Sequence, residues 1–443
     1  MKWITTETAP LLIDLYELTM AETYLRGDLD HPATFELFVR ELGPHRNFLV
    51  AAGLEDALEF LEEMRFDEEA IAFLRSLGRF SSEFLKHLGT VRFEGDVWAV
   101  PEGTLVFGQE PILRVTAPLI QAQIIETFLL NAVGLQTLIA SKASRVHIAT
   151  GERKFVDFGA RRSHGADAAL KGARAAYLAG AAATSLVAAG YHYGVPLTGT
   201  MAHSYVLAHD DEQTAFEAFA RAFPDDAVLL IDTYDTVEGA RIVAKVAPRL
   251  LADGIEVSGV RLDSGDLGTL SREVRAILDA AGLQGVQILA SGGLDEFRIE
   301  ALLSGGAPID GFGVGSSMMT SSDDPGLDVV YKLVHDQDGA LMKTSIGKAN
   351  YPGVKQVFRS DHGDVVGLAD EVLEGRPLLE PYLSGGVRTK PPGDLHAMRA
   401  EVIASIDGLP SEVRRIDGPA DPPWKVEISP RLQALTAEVS SRR

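Results

Sequence analysis

The sequence predicts an α/β fold, a parallel βα barrel or open α/β sheet, attached to an α+β lobe, and three observations carry that reading. Apolar strand candidates recur at 155–158, 195–197, 227–231, 257–262, 286–290 and 309–314. From Val195 onward their starts are separated by 32, 30, 29 and 23 residues, the length of a strand plus a covering helix. The candidates end in FGARRSHG, TGTMAHS, DTYDT, RLDSGD, ASGG and FGVGSS. Parallel sheets and barrels gather ligands at the carboxyl ends of their strands. Gly, Ser and Asp dominate ordinary turns, so any one ending is explained by turn chemistry, but six on one face point to a site.

Before this series, residues 11–25 have apolar positions at helical spacing, with Asp14 and Tyr16 near the start. Residues 33–42 alternate like a strand as far as Arg40, and residues 47–64 change to a helical period. Short strands broken by Gly and Pro fill 93–115, which makes this lobe α+β with an antiparallel sheet. Residues 117–150 predict one or two amphipathic helices with Lys142 near the end, and the Ala-rich run 166–190 is helix by propensity. Later, 331–334 and 341–359 place lysines and an arginine among β-prone residues, and the last eighty residues are expected to wrap back on the first lobe as strands and helices. The expected division is an α+β domain at 1–118, a βα barrel at 119–335, and a segment at 336–443 that packs on the first domain.

Composition narrows the function classes. With 443 residues, 46% of them hydrophobic, the chain can bury a large core. Cysteine is absent, which removes thiolate zinc sites and cysteine nucleophiles and fits a reducing compartment. The start, MKWITTETAP, lacks the apolar core of a signal peptide, and no 18-residue apolar run follows, so a cytoplasmic protein without membrane partners is expected. A formal charge of -22 opposes a nucleic-acid surface. It does not oppose small anions, because charges beyond a Debye length of about 8 Å are screened.

The strand ends hold the chemistry. Phe158 can cover a flat ring while Arg161 and Arg162 hold anions, with His164 close by. Glycines let backbone N–H groups approach phosphate oxygens, so Ser291-Gly292-Gly293 and Gly313-Val314-Gly315-Ser316-Ser317 are phosphate candidates, each helped by a following helix start. No GxxxxGK[ST] loop exists in the chain. Asp232, Asp235, Asp263 and Asp266 supply carboxylates that suit sugar hydroxyls or Mg²⁺ carried with phosphates. Arg261 points to the same side of its strand as Asp263, and His203 is a base or nucleophile candidate.

The order D-x-Y-x-x-T, FGARR, ATS, GTMAHS, DTYD, RLDSGD, SGG and FGVGS resembles the nicotinate phosphoribosyltransferase family, type II phosphoribosyltransferases of NAD synthesis. The resemblance implies an irregular βα barrel with an α+β amino-terminal domain completed by the carboxyl-terminal segment. It implies nicotinate stacked between Phe158 and a Tyr16 from the neighbouring subunit, hence a homodimer or larger assembly. Arg161 would reach the ring carboxylate or the diphosphate, and Arg40 the diphosphate from across the interface. Ser185 would favour the acid, where nicotinamide enzymes carry an aspartate; the family's usual FDGTSN is AAATSL here. His203 would be phosphorylated by the co-substrate ATP and oriented by Asp232, and Asp263 would hold the ribose of phosphoribosyl diphosphate. Arg261, Gly292, Gly293, Gly313, Gly315 and Ser316 would surround phosphates with Mg²⁺, and Lys142, Lys332, Lys348 and Lys355 are further cations.

Overall fold

A computed structural model describes residues 4–345 and 348–442. Met1, Lys2 and Trp3 of the amino-terminal reading, and Ile346 and Gly347 of the β-prone stretch 341–359, lie outside the described residues. The chain forms two compact units, residues 1–141 with 326–443, and residues 142–325. Expected boundaries at 118/119 and 335/336 thus differ from observed ones at 141/142 and 325/326. The strand Val329–Asp336 belongs with the first unit because it pairs along its length with Pro32–Val39.

The first unit is built on a seven-stranded sheet ordered Gly339–Ala340, Val329–Asp336, Pro32–Val39, Pro111–Pro118, Asp96–Ala99, Glu380–Ser384 and Val387–Arg388. Every neighbouring pair is antiparallel, and the last two strands come from the carboxyl-terminal segment. A second sheet of the same unit holds Arg376–Pro377, Lys355–Ser360, Gly363–Leu368 and Val426–Ile428. Phe60 stacks on Phe128 at 3.8 Å and Phe35 on Tyr331 at 4.8 Å in the core below.

Lys355 lies in this core. Its Nζ is 2.7 Å from Glu36 Oε2 and donates to the Tyr351 and Gly353 carbonyls, so its charge is compensated inside the fold. Removing one partner of such a pair costs about 3–5 kcal/mol. Lys355 is therefore structural and leaves the set of phosphate cations. Lys332 is half-buried with Glu126 facing it, and Lys348 is exposed.

Residues 117–150 form Leu119–Ile124 and Glu126–Thr150. The expected amphipathic stripe is missing, since Asn131 alone of the longer helix is exposed. The helix is buried nearly all round, with Gln136, Thr137, Ser141, Lys142 and Arg145 among its buried residues. No helix among the described residues is long and apolar enough to cross a membrane.

The second unit carries six parallel strands in the order Ala183–Thr184, Lys154–Asp157, Gly311–Val314, Gln287–Ala290, Val257–Leu262 and Ala227–Leu230. The sheet has the parallel βα organisation that the resemblance implied for an irregular barrel. Five of the six expected strand positions after residue 154 fall on strands whose bounds differ by at most two residues, and the intervening helices are Thr236–Ala252, Leu267–Ala280 and Glu296–Ser304. Val195–Leu197 supplies only an isolated bridge from Leu197 to Thr184. The run 166–190, read as helix interrupted by glycines, is helix Ala166–Leu178, strand Ala183–Thr184 and helix Val187–Tyr193. Pairing of Val156 with Ala183 and Asp157 with Thr184 overrides the helical propensity of alanine there.

Candidate active site

A cavity of about 490 Å³ opens at the carboxyl ends of the parallel strands of the second unit. Phe158, Arg161, Ser185, Arg261, Asp263 and the two glycine loops line it, and Arg162 stands at its rim. Register explains the convergence. Gly313 pairs beside Val156 and Val314 beside Asp157, so the FGARR and FGVGS loops leave neighbouring strands side by side. A Cβ on Gly313 would come within 2.5 Å of the Phe158 ring, so glycine at that position lets the ring lie flat over the strand end.

Arg261 is set into the cavity from the strand Val257–Leu262. Its Nη1 donates to Thr200 Oγ1 at 2.6 Å and its Nη2 to the Met201 carbonyl at 3.1 Å. Nε is buried without a partner, and the guanidinium lies 5.9 Å from the Phe158 ring centroid. Burial pulls its pKa down, Asp263 and Asp232 oppose that, and Arg161 pulls it down again. Neither Arg261 nor the exposed Arg161 forms an ion pair among the described residues, so two guanidiniums face one cavity without a carboxylate partner. Such an arrangement favours an anion between them.

The Ser291–Gly293 loop is shaped by glycine. Gly292 has φ +90°, and a Cβ there would fall 1.8 Å from the Asp263 carbonyl oxygen. Among the described residues the N–H groups of Gly292 and Gly293 find no protein acceptor. The expected helix-start contribution is corrected here, because Asp295 caps Glu296–Ser304 through the Arg298 N–H, and Ser316–Met319 is a single turn. An anion at these loops would meet loop N–H groups rather than an open helix end.

The four strand-end aspartates separate into two kinds. Asp235 accepts from the Glu238 N–H and Asp266 from the Gly268 and Thr269 N–H groups, so both are helix caps and not ligand contacts. Asp232 Oδ2 accepts from the Asp263 N–H at 2.9 Å and from Ser264 Oγ at 2.6 Å, while its buried Oδ1 has no partner. Asp263 Oδ1 accepts from Ser291 Oγ at 2.5 Å. Asp232 thus fixes the loop that carries Asp263, and Asp263 ties that loop to the glycine loop.

His203 opens the helix His203–Leu207 and is half-buried. Its Nδ1 is 3.2 Å from Thr233 Oγ1, so the hydrogen bond expected from Asp232 is made by Thr233 instead. Neither His203 nor Asp232 lines the cavity, although Thr200, Met201 and Ala202 do. His164 is exposed. Lys142 is excluded from the site, being buried with Nζ 2.6 Å from both Glu296 and Asp323.

Tyr16 and Arg40 belong to the first unit. Tyr16 is 47% exposed on Leu15–Arg26, and partial burial with the charges of Glu126 and Glu17 raises its pKa, which keeps the ring a neutral phenol. Arg40 follows Pro32–Val39 with Nη1 3.3 Å from Asp328. Sequence reading did not single out Thr200, Thr233, Thr184 or Asp157. Their signal lay in position alone, each within three residues of a flagged side chain.

Residues 11–134 match the model of the nicotinate phosphoribosyltransferase N-terminal domain, and residues 153–335 match that of the nicotinate phosphoribosyltransferase family. The nicotinate phosphoribosyltransferase pncB2 of Mycobacterium tuberculosis is 51% identical over 413 residues, covering 92% of this chain and 89% of the relative. The nicotinate phosphoribosyltransferase of Bacillus subtilis is 42% identical over 390 residues, covering 85% and 79%. The crystal structure of human nicotinic acid phosphoribosyltransferase superposes with a TM-score of 0.85 at 30% identity, covering 96% of this chain and 99% of that one. With both lobes matched and the strand-end motifs gathered at one cavity, this chain belongs to the nicotinate phosphoribosyltransferase family.

Proposed function

We propose that the chain joins nicotinate to the phosphoribosyl group of 5-phosphoribosyl 1-diphosphate, forming nicotinate mononucleotide and diphosphate for NAD biosynthesis. The observation that carries this reading is the aromatic floor of Phe158 beside two arginines without carboxylate partners and a glycine loop with free N–H groups. The pyridine ring lies on Phe158, with Tyr16 of a neighbouring copy as the second wall in a homodimer or larger assembly. As the ring nitrogen attacks C1, the C1–O bond to diphosphate breaks, positive charge grows on the ribose and negative charge on the leaving group. Arg261, Arg161 and the Gly292 and Gly293 N–H groups stabilise that negative charge, Arg40 of the neighbouring copy adds to it, and Asp263 orients the ribose hydroxyls.

The residues fit a magnesium ion carried on the substrate. Among the described residues no cluster of three or more His, Cys, Asp or Glu could hold a metal, yet Asp232, which bonds the Asp263 N–H, keeps one buried oxygen without a partner. Asp232 and Asp263 would support an ion held mainly by diphosphate oxygens. Bound there, it neutralises charge on the leaving group.

ATP is the second co-substrate in this reading. Its γ-phosphoryl group passes to His203 with release of ADP, and water later cleaves the phosphorus–nitrogen bond to give inorganic phosphate. Coupling that hydrolysis to transfer pulls the equilibrium toward nucleotide, each factor of ten corresponding to about 1.4 kcal/mol.

Ser185, at the cavity wall, decides between acid and amide, since a hydroxyl donates to a carboxylate where an aspartate would repel it. Ser185→Asp is expected to lower kcat/KM for nicotinate at least about tenfold, roughly 1.4 kcal/mol, while nicotinamide loses less or gains. A wild-type preference for nicotinamide would overturn the assignment and favour the related nicotinamide activity.

A further inference from the structure

Asp157 lies one residue before Phe158 and is completely buried. Its Oδ1 accepts from the Gly159 N–H at 2.7 Å, and its Oδ2 accepts from Thr184 Oγ1 at 2.7 Å. The Asp157 carbonyl accepts from the Ser185 N–H at 2.9 Å, and Thr184 Oγ1 accepts from the Leu186 N–H at 3.1 Å. One carboxylate therefore joins the turn after Phe158 to the two-residue strand that delivers Ser185. That strand, Ala183–Thr184, pairs in parallel only over Val156 and Asp157 plus the Leu197 bridge, so its ladder alone holds it weakly.

We infer that Asp157 and Thr184 are positioning residues for the ring-binding half of the cavity, fixing Phe158 and Ser185 relative to each other and so setting nicotinate affinity and acid-over-amide choice. Neither side chain lines the cavity, so both act through their neighbours. The ionised carboxylate satisfies the whole set: Thr184 donates its proton to Asp157 and keeps a lone pair for Leu186. A protonated Asp157 would disturb one of these two bonds, since the added proton would compete with the Thr184 hydroxyl at Oδ2 or with the Gly159 N–H at Oδ1. Burial raises the Asp157 pKa, and the bonds from Thr184 and Gly159 with the charge of Arg161 oppose that rise. Gly159 completes the turn, since a Cβ there would approach Met319 Cγ to 2.4 Å. Ring placement tolerates little slack, because a supporting shell loose by about 1 Å is enough to spoil a site.

The inference rests on the nicotinate reading above, and phosphoribosyl diphosphate supplies its internal control, because the Arg261 and Gly292 half of the cavity hangs on other strands. Thr184→Val keeps the shape and removes the hydroxyl, whereas Thr184→Ser keeps the hydroxyl. Steady-state assays of the full chain should show Thr184→Val raising KM for nicotinate about tenfold and narrowing the nicotinate-to-nicotinamide ratio, with KM for phosphoribosyl diphosphate within about twofold. Thr184→Ser should restore nicotinate KM to within about threefold of wild type. Asp157→Asn should act in the same direction, and its effect should not add to that of Thr184→Val. Equal changes in both substrates' KM, or an unchanged nicotinate KM in Thr184→Val, would overturn the inference. If wild type failed to turn over nicotinate at all, the functional reading itself would fall, a result distinct from an unresponsive Thr184→Val.

Discussion

Arg261→Ala is expected to lower kcat/KM for phosphoribosyl diphosphate about 10²–10³-fold, the usual result of removing one fixed donor from a site where negative charge develops. The effect follows from how the guanidinium is held. Thr200 and the Met201 carbonyl occupy two of its N–H groups, the buried Nε has none of the protein to bond, and no carboxylate forms an ion pair with it among the described residues. Its orientation is thus fixed before any ligand arrives, and the ordering that a flexible cation would need is avoided. Arg261→Lys should recover only part of the loss, because a point ammonium cannot reach Thr200, Met201 and a phosphate oxygen together. Measuring kcat/KM for both substrates checks the assignment. A loss confined to nicotinate would move Arg261 from the phosphates to the ring carboxylate.

His203→Ala is expected to abolish stimulation by ATP while leaving ATP-independent transfer measurable. Incubation with ATP labelled in the γ-phosphoryl group should label the wild-type chain and not the variant. His203 stands outside the cavity lining on a short helix, held at Nδ1 by Thr233, so its loss leaves Phe158, Arg261 and the glycine loop in place. Unchanged ATP stimulation in a folded His203→Ala chain would remove the histidine from the coupling step.

Much of the cavity lining was legible in the chain because its residues sit at strand ends with a regular βα spacing. Phe158, Arg161, Ser185, Arg261, Asp263 and Gly292 come from four separate motifs and meet at one cavity. What stayed hidden was the partner of each polar side chain. Asp235 and Asp266, read as ligand carboxylates, are taken by the N–H groups of Glu238, Gly268 and Thr269 at the starts of the following helices. Lys142 and Lys355 could not be told from surface cations, since their partners Glu296 and Glu36 are remote in sequence and only the folded chain shows them buried. The strand Ala183–Thr184 was lost in an alanine-rich run because two residues carry no periodicity, and its pairing with Val156 and Asp157 is tertiary. Thr233 replaced Asp232 beside His203 for a similar reason: adjacent residues at a strand end point in different directions, and spacing alone does not choose between them.

The most direct test of the account is a product assay of the purified chain with phosphoribosyl diphosphate, magnesium and ATP, offered nicotinate, nicotinamide or quinolinate in turn. The account predicts nicotinate mononucleotide formed one for one with released diphosphate, faster with ATP than without it, and little product from the other two acids and amides. Turnover of quinolinate or nicotinamide in preference to nicotinate would contradict it.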